Sequence, residues 1–204
     1  FIPLAEETGL IDDLSWIVLE EVCMLLGHMS GQIDSISINL SMQQFEDRNL
    51  SGRINACLKR SGLSPDKLKI EVTERVLLQD MDYMRMIMEE MTGEGFGFYL
   101  DDFGTGYSNI SCALSLPFEY IKLDRSLLVR LPGDTKVQVF VRSMIETFHA
   151  MGQKIVAEGV EKEEQIEILR QFGVDCVQGY YYGRPMPEDE FKDIIAKGWE
   201  EQRK

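Results

Sequence analysis

Six short β-branched or apolar runs alternate along this chain with longer stretches of helical period, and that alternation limits the fold more than any other feature. The runs are residues 35–40 (SISINL), 68–73 (LKIEVT), 96–101 (FGFYLD), 120–124 (YIKLD), 154–158 (KIVAE) and 176–180 (CVQGY). Parallel neighbours need a long crossover between them, so strand and helix in alternation predict repeated βα units on one parallel sheet. Helices are predicted over about 13–28, 43–60, 76–92, 136–151, 162–172 and 187–198. In the first, Leu14, Ile17, Val18, Val22 and Leu25 recur at helical spacing behind Asp12 and Asp13 as caps, which makes that stripe the core face. Gly173, after Phe172, marks a helix stop. Met81, Met84, Met86, Met88 and Met91 crowd the third helix and read as packing, because methionine fills irregular apolar gaps.

A chain of 204 residues is long enough for one substantial core, and no linker-like stretch divides it, so residues 1–204 read as a single domain. The formal net charge is −14, which excludes a surface that coats DNA or RNA, since such binding needs Lys and Arg to displace phosphate counterions. An anionic ligand then needs local help from a metal ion or a few placed cations, and clustered carboxylates suit hard divalent ions. Cys23, Cys57, Cys112 and Cys176 are widely spaced in apolar stretches without a zinc-like pattern and read as buried free thiols of a reducing cytoplasm. His28 and His149 have no second-ligand spacing and read as structural or surface groups. No apolar run approaches a membrane span and no basic leader precedes one, so this segment is expected in the cytoplasm without membrane contact, although its parent protein is open to membrane anchoring.

Unusual polar residues sit where the strands end. Asn39 closes the first run, Glu71 and Glu74 the second, Asp101 and Asp102 the third; Lys122 lies on the fourth, Glu158 ends the fifth and Gln178 sits on the sixth. Each has a plain structural reading. Asp101 and Asp102 before Gly104 suit a turn or helix cap, Glu71 and Lys122 a buried ion pair, and Asn39 an Asx turn. Glu158 suits a loop clamp, and Gln178 a partner for buried backbone. Together they suit something else. In a (β/α) barrel the C-terminal strand ends form the active-site face, and four of these five carboxylates, Glu71, Asp101, Asp102 and Glu158, gathered there with an Asn, a Gln and a Lys match a two-metal hydrolytic site. Two Mg²⁺ or Mn²⁺ ions would take the oxygen donors, and a lysine would counter charge growing on a phosphoryl group. The glycines of 103–108 (FGTGYS) suit either an ordinary βα turn or a mobile lid after the paired aspartates.

FIPLAEETGLI at 1–11, NLS at 39–41, EVTE at 71–74, DDFGTGYS at 101–108, IKLDRS at 121–126, AEGVE at 157–161 and QGYYYGRP at 178–185 together resemble the EAL-domain phosphodiesterases over essentially the whole chain. The resemblance implies hydrolysis of cyclic di-GMP to 5′-pGpG in a modified TIM-type barrel with one antiparallel strand. It implies that Asn39, Glu71 and Asp101 hold a first cation, and that Asp101, Asp102 and Glu158 hold a second. Lys122 then lies beside the attacking water, Gln178 supports the site and Glu74 anchors the loop after Asp102, while Asp124 is a motif position without an assigned role. A homodimer, and a parent protein with GGDEF or sensory domains, go with the family.

The chain departs from the family's pattern by an absence: the Glu-Ala-Leu strand end expected ahead of FIPLAEE is not in it, nor is the strand before that one. The expectation is therefore an α/β, N-terminally truncated barrel with six of eight strands visible, association-prone and weakly active or inactive alone. Asn109 stands where a second Ser is common. Two other functions stay open: a catalytically inactive receptor or interaction module for cyclic di-GMP, and a different metal-dependent barrel enzyme.

Overall fold

A computed structural model describes residues 2–77, 80–105 and 110–197; the side chains of Ile2, Pro3, Glu6 and Arg75 are outside the description. Six strands form one sheet in chain order: β1 (Ile36–Asn39), β2 (Leu68–Thr73), β3 (Gly97–Phe103), β4 (Phe118–Leu123), β5 (Lys154–Ala157) and β6 (Cys176–Val177). Every neighbouring pair is parallel. Helices occupy the crossovers, so the sheet curls as a half-barrel of βα units, and among the described residues β1 and β6 each pair on one side only.

The period-2 geometry of a strand sorts the side chains. Ile38, Ile70, Val72, Leu100, Ile121, Leu123 and Ile155 are buried in a core shared with helical residues such as Leu19, Leu58, Met84, Met88, Val141 and Ile145. The opposite face carries Asn39, Glu71, Tyr99, Tyr120 and Lys154 side by side in register. Two departures from regular pairing matter. Glu119 is an extra residue of β4 between the Phe98–Phe118 and Tyr99–Tyr120 pairs, and Asp101 with Asp102 together oppose Lys122 between the Leu100–Ile121 and Phe103–Leu123 pairs.

Among the described residues, eleven helices of α type precede, separate or follow the strands: α1 (Ile2–Thr8), α2 (Ile11–His28), α3 (Met42–Phe45), α4 (Leu50–Arg60), α5 (Glu74–Leu77), α6 (Met81–Gly93), α7 (Ile110–Ser115), α8 (Arg125–Leu128), α9 (Thr135–Ala150), α10 (Glu163–Gln171) and α11 (Glu188–Lys197). Several differ from the sequence-based expectation. The helix expected over 43–60 is α3 plus α4, because Asp47 accepts a hydrogen bond from the Asn49 amide at 2.9 Å and turns the chain between them. The helix expected over 76–92 is replaced by α5 and α6, the latter capped by Asp80, whose side chain accepts from the Tyr83 amide. Asp12 and Asp13 lie in the first turn of α2 instead of capping it, and the buried stripe is Ile11, Leu19, Cys23 and Leu26, while Ile17 and Val18 are exposed. Of the crowded methionines, Met84, Met88 and Met91 are buried and Met86 is exposed. Cys23, Cys57 and Cys112 are buried as expected, but Cys176 is exposed on the short edge strand β6.

The sixth strand stops two residues after it starts, instead of running to Tyr180, for a local reason. A Cβ on Gly179 would stand 2.2 Å from the Val160 carbonyl oxygen and 2.3 Å from its nitrogen, so only glycine lets the two backbones pass this closely. Among the described residues, no helix is long and apolar enough to cross a membrane.

Candidate active site

Lys122 rises from the C-terminal end of β4 into a ring of carboxylates. Its Nζ lies 2.7 Å from Glu71, 2.9 Å from Asp101 and 2.7 Å from Glu158, and its side chain is 4% exposed. Strand geometry supplies each member. Glu71 belongs to β2, Asp101 to β3, and Glu158 follows β5 with its backbone N–H donating to Leu123 at 3.0 Å, next to Lys122 in the chain. The expected Glu71–Lys122 ion pair is present, as one of three.

Burial opposes the charge on Lys122, yet Glu71 above all, with Glu158 and Asp101, outweighs it and holds the ammonium above its ordinary range. Burial also raises the Glu158 carboxyl above the usual carboxylate value, and Lys122 only partly offsets that. With the carboxylates ionised, Lys122 alone is shared by Glu71, Asp101 and Glu158 among the described residues' ion pairs, so negative charge is in excess in that cluster.

Adjacent strand residues ordinarily point to opposite faces, which would separate Asp101 from Asp102. The bulge in β3 prevents this: Asp102 takes φ +58°, the left-handed region, and one oxygen each from Asp101, Asp102 and Glu158 lie within 4.8 Å of one another. Aspartate tolerates that backbone better than most residues. A hard cation with oxygen ligands at about 2.0–2.6 Å spans such a set, so these residues fit Mg²⁺ or Mn²⁺ by donor type and spacing.

Asn39 sits beside this group, its Nδ2 donating to Glu71 Oε2 at 3.4 Å, and its side chain is exposed at the open edge. Gln178 follows β6; its backbone bonds to Ala157 and Val160 place it beside the Glu158 segment, and it lines a cavity of about 790 Å³ with Tyr99, Tyr120, Tyr180 and Arg184. Glu74 is buried at the start of α5. The loop it is expected to anchor, and the second half of the expected lid, fall on residues 106–109, outside the described residues. Asp124, unassigned from sequence, caps α8 by accepting from the Ser126 amide at 2.8 Å.

One contributor escaped the sequence reading. Buried Gln44 accepts from the Ser41 amide and hydroxyl and donates to Asp12 and Ser15, fastening the segment after Asn39 onto α2. Its signal was present as a Ser-x-x-Gln capping box at 41–44.

Fold and site define a TIM-barrel-like α/β domain whose acidic centre lies at the C-terminal strand ends. The family model described as EAL domain matches residues 1–185, and the chain belongs to the EAL domain family. The Pseudomonas aeruginosa bifunctional diguanylate cyclase/cyclic di-GMP phosphodiesterase MucR is 38% identical over 199 residues, which are 96% of this chain and 29% of MucR. This chain therefore spans less than a third of that relative's length. A solved MucR phosphodiesterase in complex with cyclic di-GMP matches with a TM-score of 0.85 and 36% identity, over 94% of this chain and 78% of the other. The Klebsiella pneumoniae protein BlrP1, in a complex with manganese and cyclic di-GMP, matches with a TM-score of 0.77 and 29% identity, over 83% of this chain and 43% of the other.

Proposed function

We propose that this domain is a metal-dependent phosphodiesterase that opens cyclic di-GMP to linear 5′-pGpG. The observation that carries this function is the meeting of Glu71, Asp101, Asp102 and Glu158 around Lys122 at one sheet edge, with oxygens of three of them near enough to share a cation. The description of MucR as a cyclic di-GMP phosphodiesterase supports the substrate, and the BlrP1 complex with manganese and cyclic di-GMP supports the metal class.

In this proposal Asn39, Glu71 and Asp101 hold one Mg²⁺ or Mn²⁺, and Asp101, Asp102 and Glu158 hold the other. Bound there, such ions supply Lewis-acid chemistry, polarising phosphoryl oxygens and lowering the pKa of a water. The protein supplies placement and charge. Lys122 fixes Glu71, Asp101 and Glu158 relative to one another through its three ion pairs, and its ammonium offsets negative charge growing on the phosphoryl oxygens. Gln178, whose backbone pairs with Ala157 and Val160 on either side of Glu158, supports the site, and Glu74 anchors the loop after Asp102.

A homodimer in the cytoplasm goes with this function. Ile110, Leu114, Phe140 and Met151 are exposed around an apolar cavity of about 590 Å³ that reaches Phe103 and Gly104, directly after the paired aspartates. The function is tested by incubating cyclic di-GMP and Mn²⁺ with this chain and with a form carrying the two expected upstream strands, followed by chromatography. The longer form should yield pGpG, EDTA should stop it, and the 204-residue chain should be slower or silent. Binding of cyclic di-GMP by the longer form without cleavage would establish the receptor function instead.

A further inference from the structure

Glu158 opens a segment, Glu158–Gly159–Val160–Glu161–Lys162, that carries the site's fifth strand into α10. The segment is tied down at its middle, where the Val160 amide donates to Gln178 at 3.1 Å and the Tyr181 amide donates back to Val160 at 3.0 Å. Its far end is held by one buried side chain. Gln165 Oε1 accepts from the Glu161 and Lys162 amides, both at 3.0 Å, and Gln165 Nε2 donates to the Leu128 carbonyl at 3.0 Å. Leu128 closes α8, the helix that follows β4 and Lys122.

The chemistry of those partners selects the residue. Two amides require an acceptor and a carbonyl requires a donor, so a carboxamide serves all three, whereas a carboxylate serves only the amides. A helix cap alone needs no such choice, because the third helical position of a capping box takes Glu as well as Gln. The part that only glutamine provides is the bridge to Leu128, which joins the element after Lys122 to the segment after Glu158.

We propose that Gln165 is a positioning residue for the metal centre: its buried amide bridge couples the β4–α8 and β5–α10 connections and so fixes Glu158 against Lys122, Asp101 and Asp102. This rests on Asp101, Asp102 and Glu158 being cation ligands. Substitution of groups that orient ligands in this way typically lowers metal affinity or activity by about 10–100-fold.

The test is Mn²⁺ affinity, read from the electron paramagnetic resonance signal of unbound Mn²⁺, with thermal unfolding recorded alongside. Gln165→Glu keeps the cap and cuts the bridge; Gln165→Leu removes both; Gln171→Glu adds the same charge at the exposed end of α10 as a control. Gln165→Glu should stay folded and bind Mn²⁺ about tenfold or more weakly, and Gln171→Glu should match the wild type. If Gln165→Leu does not fold, Gln165→Glu decides alone. Wild-type affinity in folded Gln165→Glu overturns the positioning role, and so does its failure to fold with the cap intact. A wild-type chain that binds no Mn²⁺ overturns the cation-ligand assignment itself, and the positioning role with it.

Discussion

Lys122 is buried against Glu71, Asp101 and Glu158, so its removal leaves carboxylates desolvated without their cation. Breaking a buried ion pair from one side costs about 3–5 kcal/mol, and Lys122→Met in EDTA should lose stability of that order by urea unfolding. An unchanged midpoint would show that the carboxylates do not depend on the ammonium. The pH dependence has a defined sign. The folded-state pKa of Lys122 is raised, so its contribution is complete below the unfolded lysine value of about 10.4 and fades only as pH climbs beyond it. Lys122 therefore contributes equally at about pH 7 and about pH 9, and the deficit of the variant should be the same at both. At this scale much of the site was legible in sequence. Charged groups inside apolar runs, such as Glu71 and Lys122, announce themselves because a core does not hold them without partners. What the sequence did not disclose was that one lysine serves three carboxylates, since partner choice depends on how neighbouring strands are offset.

The bulge in β3 is the element on which the paired aspartates depend. Its left-handed residue, Asp102, is exposed, so substitutions there report backbone preference with little change in burial. Asp102→Val, β-branched and disfavoured at positive φ, should be less stable than Asp102→Asn by about 1–3 kcal/mol in chemical denaturation. Equal stabilities would mean that the backbone at 102 relaxes without cost. Neither the bulge nor its φ was readable from DDFG, which has the composition of an ordinary turn. The six strands were readable, because β-branched runs between helical stretches leave few alternatives. Helices α1, α7 and α8, of 7, 6 and 4 residues, were not, because periodicity needs more than two turns to show. Where the predicted helix over 43–60 failed, the competing signal was Asp47, whose side chain offers the backbone a turn in place of continued helix.

At the scale of the molecule, a net charge of −14 coexists with an apolar surface around Ile110, Leu114 and Phe140. Such a patch suits the proposed homodimer, and its border on Phe103 and Gly104 brings it to the end of the aspartate-bearing strand. Sedimentation should show a dimer that Leu114→Glu dissociates; a monomer in the unaltered protein would remove the homodimer from the account. If the acidic strand ends are a divalent-cation centre, crystals containing Mn²⁺ will show it through the metal's anomalous scattering. A peak is expected in contact with oxygens of Asp101, Asp102 and Glu158. An ordered site with no peak there, Lys122 still bridging Glu71, Asp101 and Glu158, would contradict it and leave the cluster a structural ion-pair network.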